Sequence, residues 1–500
     1  MPIDPRAPVL VGVGQVVQRP APDAGSQPPL EPLALMECAA RRAAEDAGCP
    51  ALLAQLDSVR VPRGLWPYEN PAHTLRERLG SPRARTALAP VSGNMVQRML
   101  TDAARQIAAG SLDTVLLVGA EAEHSKRRAE RAGGRPAWSE PEAPAPDVDF
   151  EQGGRWILRE EIEAGLAQPA AIFSLYENAG RHARGETLDE NRDRIAGLWR
   201  GFAEVAESNP FAWTREAPSV AVIRDEAPAN RFIAHPYTKR LCSNMVVDLG
   251  AAVLLCSAER ARRLGIPRGR WVFLHAATDC MGTPLLSHRM DFVRVPALEL
   301  TGLGPADFAH VDLYSCFPAA VEVAAEALGF PLGRPLTVTG GLAFAGGPFN
   351  SYVLHALATM VERLRGDPGS RGLVSSVGGS FSKHAFGVYS TDPPAPGFRY
   401  ADLDAEAASL PRRELAVGFA GEAAVESYAL RYREGEPAVA SFACLLDDGR
   451  RAWARSEDPE VFRALLDGET CGRRARVEGG ALVELRGDGA GGSPRARESA

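Results

Sequence analysis

Apolar and polar positions along this chain alternate between two rhythms. PVLVGVGQVV (8–17) is an almost unbroken apolar run and predicts a buried strand. Residues 30–48 place apolar side chains at helical spacing and stop at Gly48, a residue suited to a helix C-cap. LDSVRV (56–61) and RTALAPV (85–91) predict short strands. A helix is expected over about 94–109, closed by Gly110. DTVLLVG (113–119) and DLGAAVLLCS (248–257) are continuous apolar runs, the pattern of strands covered on both faces. Between them, residues 120–245 are rich in Arg, Glu, Pro and Ala, are broken by prolines over 135–148, and show helical segments near 156–166 and 190–208. This stretch predicts an insertion packed over the core.

The second half repeats the rhythm. RWVFLHAATD (270–279) predicts a strand, followed by a short helix near 297–303, a strand around 309–314 and a helix over 317–328. PLTVTGG (335–341) reads as a strand, 350–365 as a helix, and GLVSSVGG (372–379) and GVYSTD (387–392) as two more strands. Strands alternating with helices in both halves predict a duplicated α/β sandwich. After Pro393 the period changes to two, with GEP and DDG turns between alternating segments over 414–455 and a short helix over 458–467. The domains expected are therefore 1–260, including the insertion, 261–393, and a small β-rich, OB-like domain over 394–486. A disordered tail is expected over 487–500.

Composition narrows the function classes. The chain has 500 residues, 45% hydrophobic and 24% charged, with a formal charge of −7. Those are values of a globular protein, and a nucleic-acid partner would call for a basic surplus. No apolar run reaches the ~18 residues of a membrane span, and the N-terminal run reads as a strand, not a signal peptide. The eight cysteines form no CxxC pair, which argues against a zinc site and for a reducing, cytoplasmic setting.

Three segments carry a family resemblance. APVSGNMVQRMLTDAARQIAAGSLDTVLLVGAE (89–121) resembles the thiolase segment that opens on the nucleophilic cysteine and continues through a buried helix to a strand. VDLYSCFPAAVEVAAEALG (311–329) resembles the Asn-Glu-Ala-Phe segment, or His-Asp-Cys-Phe in sterol-carrier-protein-linked thiolases. TVTGGLAFAGGPFN (337–350) and SSVGGSF (375–381) resemble the Gly-His-Pro segment and the Cys-x-Gly-Gly loop. Together these span most of residues 8–392. The chain is thus similar to the thiolase superfamily, and closest in pattern to thiolase-like, acetyl-CoA acetyltransferase-like proteins with an additional C-terminal domain. The resemblance implies a coenzyme A thioester as substrate or ligand, no permanently bound cofactor or metal, and a monomer or homodimer.

Thiolase chemistry needs a thiolate to carry the acyl group, a histidine to activate it and a second cysteine to move a proton. Carried over residue by residue, the nucleophile falls on Gly93, the histidine on Gly347 and the second cysteine on Ser376. Ser92 offers a hydroxyl beside the nucleophile position or serves as a turn or cap residue. Tyr314 and Ser315 replace the His-Asp pair, while Cys316 and Phe317 remain. Cys316 is a thiol for chemistry or an apolar filler. Tyr314 could donate a hydrogen bond or carry a proton, and His384, just beyond the glycine loop beside Lys383, is the best remaining imidazole for a site near Gly347 or else a capped, surface-paired histidine. Lys239 and Arg240 offer charge for a CoA phosphate, or are solvated loop cations. The functional expectation is an acyl-CoA-handling protein, an acyltransferase by family, without ordinary thiolase turnover. The alternatives are an acyl-CoA retro-aldol lyase using Tyr314 and a non-catalytic acyl-CoA-binding protein.

Overall fold

The computed structural model describes residues 3–19, 28–139, 141–150, 156–395 and 397–486. The expected disordered tail lies outside them. In the first half the strands are β1 (Pro8–Val17), β2 (Ser58–Pro62), β3 (Arg85–Ala89), β4 (Thr114–Ala122) and β5 (Val148–Asp149). The insertion adds β6 (Phe232–His235) and β7 (Tyr237–Thr238), and β8 (Asp248–Ser257) closes the half. The second half holds β9 (Val272–Met281), β10 (His310–Asp312), β11 (Arg371–Gly378), β12 (Lys383–Ser390) and β13 (Arg399–Asp402). The C-terminal strands are β14 (Ala420–Arg433), β15 (Glu436–Leu445), β16 (Arg451–Ser456), β17 (Arg474–Glu478) and β18 (Ala481–Leu485). The helices that matter below are α1 (Pro32–Asp46), α2 (Met95–Ala108), α3 (Pro169–Arg184), α4 (Leu188–Ser208), α5 (Pro318–Ala327), α6 (Tyr352–Gly366) and α7 (Pro459–Asp467).

The two α/β halves share one strand path, β10-β11-β12-β9-β1-β8-β4-β2-β3-β5, with β13 beside β9. Among the described residues their strands pair where Val9 and Leu10 meet Phe273 and Val272. Helix α1 covers the outer face of the first half, and its backbone lies against β1. A Cβ on Gly12 would press into the Ala43 carbonyl, and one on Gly14 would lie 2.7 Å from the Ala43 amide nitrogen. Helices α2 and α6 touch strands of both halves and each other, so they form the middle layer. The duplicated sandwich expected from the alternation is thus present, and its main core lies between the halves.

The C-terminal strands close on themselves in the order β14-β15-β16-β18-β17-β14. The third and fifth strands of this set run parallel, and α7 lies between the third and fourth. That is the OB arrangement, with its own apolar interior around Tyr428, Phe442, Leu465 and Val477. The insertion enters this sheet: His235 and Ala234 of β6 pair with Leu430 and Arg431 of β14. The barrel is also docked on α3. Ser427 Oγ donates to the Leu175 carbonyl at 2.6 Å, Asn178 Nδ2 to the Tyr428 carbonyl at 2.9 Å, and Arg181 pairs with Glu469 through two 2.8 Å bonds. Arg451, wholly buried, grips Glu426 bidentately at 2.7 and 2.8 Å and donates to the Leu286 carbonyl at 2.8 Å.

Several expectations are corrected. Residues 335–341 form no strand. Val338 N at 3.0 Å and Thr337 Oγ1 at 2.9 Å donate to the buried Asp312 carboxylate, which also takes Tyr352 Oη at 3.0 Å. Donors committed to that carboxylate are unavailable to a strand ladder. The helix near 297–303 shrinks to Pro296–Glu299, and the last core strand begins at Lys383, four residues earlier than its apolar pattern indicates. Residues 399–402, read with the C-terminal domain, supply β13 to the large sheet. The outer edge of that sheet is covered by the chain itself: β5 pairs with β3, and Asp147 accepts from Thr86 N at 2.7 Å and Thr86 Oγ1 at 2.8 Å. Among the described residues no helix is long and apolar enough to cross a membrane, and no group of three or more His, Cys, Asp or Glu is arranged to hold a metal ion.

Candidate functional site

The start of α2, the loop after β10 and the loop after β11 meet at a cleft of about 480 Å³. Ser92, Gly93, Tyr314 and Cys316, far apart in sequence, all line it. Phe173 of α3 and Phe317 stack at 4.9 Å to form an aromatic wall, and Trp156, 42% exposed, stands at the mouth. None of the described residues that line it carries a formal charge.

The decisive geometry is between Gly93 and Tyr314. Tyr314 is anchored from both sides: its backbone N donates to Ser375 Oγ at 2.8 Å, and its ring meets Tyr352 edge-to-face at 5.7 Å. A Cβ on Gly93 would lie 2.6 Å from the Tyr314 hydroxyl and would press into the Val377 carbonyl. The phenol therefore occupies the space that a side chain at 93 would need. Burial raises the Tyr314 pKa above its ordinary value, and the neighbouring Cys316 adds to the effect, so the group is a neutral hydrogen-bond donor at pH 7. Burial likewise pushes the Cys316 thiol up, against a lesser opposing effect of backbone N–H groups, and keeps it protonated.

The other sequence-predicted residues sit differently. Ser92 Oγ donates to Asn94 Oδ1 at 2.6 Å, so Asn94 makes no side-chain cap on α2. Ser376 is fully buried, donates to the Ala385 carbonyl at 2.9 Å, and is not among the cleft residues. A side chain at Gly347 would run into Ser243 Oγ, so a serine from the insertion fills the histidine's room. His384 lies behind the cleft, not on it: it is 1% exposed, meets Phe381 edge-to-face at 5.2 Å, and neither ring nitrogen has a hydrogen-bond partner. Burial, helped by Arg289, pulls its pKa down to about 3 and leaves it neutral. Lys239 is exposed and Arg240 half-buried on the turn before Cys242, and neither lines the cleft.

Sequence reasoning missed Phe173, Trp156, Asn350 and Ser243. Asn350 holds the cleft floor by donating to the Arg63 carbonyl at 2.6 Å. Phe173, Trp156 and Ser243 lie in the insertion, where no motif marked them. Chemically, the cleft can enclose an apolar group and present a neutral phenol to a carbonyl oxygen, and among the described residues that line it there is no imidazole, carboxylate or thiolate.

Comparisons place this geometry among known proteins. A family model described as the thiolase-like protein type 1 additional C-terminal domain matches residues 402–480. The crystal structure of a monomeric SCP2-thiolase-like protein type 1 from Mycobacterium smegmatis is 30% identical, with 96% of this chain and 99% of that chain covered and a TM-score of 0.79. The Ltp2–ChsH2(DUF35) aldolase is 20% identical over 77% of this chain and 98% of that chain, with a TM-score of 0.57. An acetyl-CoA acetyltransferase from Methanothermobacter thermautotrophicus is 25% identical over 279 residues, 49% of this chain and 68% of that protein.

Proposed function

This chain belongs to the thiolase superfamily, and from that premise we propose that it binds acyl-CoA thioesters in the cleft without forming an acyl-enzyme. The observation that carries the reading is the Tyr314 hydroxyl in the space beyond Gly93. At position 93 a covalent acyl carrier has neither an atom to start from nor room to stand. The neutral phenol is instead suited to donate a hydrogen bond to the thioester oxygen, and the aromatic wall of Phe173 and Phe317 to hold an apolar acyl chain. Support also comes from the family, whose members handle CoA thioesters.

The test has two parts. Calorimetry with acetyl-CoA and longer acyl-CoAs is expected to show saturable binding that weakens in Tyr314→Phe. Thiolysis of acetoacetyl-CoA is expected to be undetectable. Turnover by the wild-type protein, or no binding of any acyl-CoA, sinks the reading.

A second reading is retro-aldol cleavage of a β-hydroxyacyl-CoA. In its favour, the developing enolate oxygen would meet the Tyr314 hydroxyl without any need for a thiolate. The aldolase of similar fold and the barrel fused to this chain point the same way. Against it, burial raises the tyrosine pKa, which makes the phenol a poor base. Full aldol cleavage activity retained in Tyr314→Phe would remove it.

A further inference from the structure

The aromatic wall of the cleft is backed by charged side chains from three helices. Glu177 stands one turn beyond Phe173 on α3, and Glu322 stands in the second turn of α5, which begins directly after Phe317. Glu177 is wholly buried and Glu322 is 7% exposed. Arg194 of α4 reaches both: its Nη2 donates to Glu177 Oε1 at 3.2 Å and its Nη1 to Glu322 Oε1. Its Nε donates to Glu186 Oε1 at 2.8 Å, so one guanidinium ties three carboxylates together. Arg184 pairs with the same three, at 3.8 Å to Glu177, 3.1 Å to Glu186 and 3.9 Å to Glu322. Asn191 Nδ2 also donates to Glu177 Oε1, at 2.7 Å.

Tyr237 of β7 connects this cluster to the wall. It is wholly buried, and its hydroxyl donates to Glu177 Oε2 at 3.0 Å, with the Phe173 carbonyl at 3.3 Å. Its ring lies 5.4 Å from that of Phe317, which in turn stacks on Phe173 at 4.9 Å. Phe173 and Phe317 line the cleft and Tyr237 does not, so the tyrosine supports the wall from behind. Two routes therefore run from Arg194 to Phe317. One passes through Glu177 and Tyr237, the other through Glu322 and back along α5. A buried ion cluster adds little net stability over apolar packing, but its charge-assisted hydrogen bonds are directional. Apolar contact alone fixes no direction, so it would not hold two stacked rings at one spacing.

We propose that Arg194 and Tyr237 are positioning residues that hold the Phe173–Phe317 wall in place for an extended acyl chain, so that this cluster sets the preference of the cleft for long over short acyl groups. The inference rests on the acyl-CoA reading above and adds what fixes the acyl end of the site. An acetyl group has a single methyl to bury against the wall, whereas a decanoyl chain can cover both rings. Calorimetry on the full chain with acetyl-CoA and decanoyl-CoA tests the proposal, and the wild-type protein is expected to bind decanoyl-CoA the more tightly. Tyr237→Phe keeps the ring and removes only the hydroxyl. It is expected to weaken decanoyl-CoA about fivefold, the scale of one side-chain hydrogen bond, and to leave acetyl-CoA unchanged. Arg194→Met is expected to give a larger loss with the same selectivity, and Arg194→Lys to recover part of it, since an ammonium keeps the charge but not the fork. If Arg194→Met does not fold, Tyr237→Phe and Arg194→Lys carry the test. N-phenyl-1-naphthylamine, an apolar fluorescent probe without CoA, reads the wall independently and is expected to lose affinity in Tyr237→Phe as well. Equal decanoyl-CoA affinity in wild type and Tyr237→Phe, an equal loss for acetyl-CoA, or wild-type binding indifferent to chain length overturns the proposal while leaving the acyl-CoA reading intact. Tyr237-dependent binding of the naphthylamine without binding of either thioester keeps the positioning role and removes the acyl-CoA reading. Failure of the wild-type protein to bind any of the three probes overturns both.

Discussion

If Tyr314 fills the room of a side chain at 93, then adding that side chain must cost stability, and the cost must depend on the phenol. Gly93→Ala is the smallest such change. Its Cβ meets two obstacles, the Val377 carbonyl and the Tyr314 hydroxyl, the latter at 2.6 Å with the ring carbon bearing it at 3.0 Å. Overpacking of this kind costs about 1–3 kcal/mol, and the backbone carbonyl cannot rotate away, which favours the upper part of that range. Loss of glycine's unfolded-state freedom returns about 0.4–1 kcal/mol. A net loss of roughly 2 kcal/mol is expected. Tyr314→Phe removes the hydroxyl, leaves the Val377 carbonyl in place and keeps the ring, so it avoids the cavity that alanine would create. The double variant is then expected to be more stable than the sum of the single changes by about 1 kcal/mol, within the usual coupling of residues in contact. Urea midpoints of the four proteins, read by both tryptophan fluorescence and far-UV circular dichroism, give the cycle, and coincident transitions justify its arithmetic. A neutral Gly93→Ala, or strictly additive effects, would show that the phenol and the glycine are not packed as one unit.

Three further outcomes follow from the structure. Cys316 lies on the cleft with its thiol pKa raised by burial, so its alkylation by iodoacetamide should be slow at pH 7 and should accelerate only in strongly alkaline buffer; rapid neutral labelling would contradict that environment. Burial opposes the charge on Glu469, but hydrogen bonds from His182 and Arg181 outweigh it and hold the pKa down to about 2. A depressed carboxylate contributes stability that is complete above its unfolded value of about 4.3 and fades as pH falls toward 2. Barrel docking, followed by hydrogen exchange along α3, should therefore loosen across that window, and Glu469→Gln should flatten the response. Asp147→Ala should release β5 and uncover the β3 edge, giving larger species than the wild-type protein by sedimentation velocity; an unchanged distribution would mean that other contacts guard the edge.

The sandwich was legible because its strands are covered on both faces, so β1, β4, β8 and β11 stand out as apolar runs, while the helical spacing and closing glycines marked α1 and α2. The OB strand order was partly legible, since alternation and turns show the strands but not which of them pair. Periodicity failed at 335–341, where Thr and Val satisfy a strand pattern although their donors serve Asp312. It also could not assign β6 to the barrel, because a four-residue strand has too little pattern to show its partner. In the site, motif order located Gly93, Tyr314 and Cys316 on one cleft. Sequence read Gly93 and Gly347 as losses; only packing reveals that Tyr314 and Ser243 have moved into the vacated room. That kind of compensation joins residues distant along the chain and leaves no local signature.

The same packing bears on what the barrel is for. A module joined by a linker would leave charges free at its boundary, but here the boundary consumes them. Arg451 is wholly buried and is met by Glu426, by carbonyls at 286–289 and by the Phe292 ring, while Arg181, 1% exposed, is met by Glu469 from the barrel. Removing one member of a pair as buried as Arg451–Glu426 typically costs about 3–5 kcal/mol, because the other remains buried and uncompensated, whereas solvent screens part of the Arg181–Glu469 pair, whose carboxylate is 38% exposed. Helix α3 carries Phe173 into the cleft on one face and receives the barrel on another. One helix therefore joins the barrel boundary to the aromatic wall of the cleft. Truncation after residue 402 should for that reason alter the cleft as well as the surface it exposes, and the site has to be understood as belonging to the thiolase halves and the barrel together.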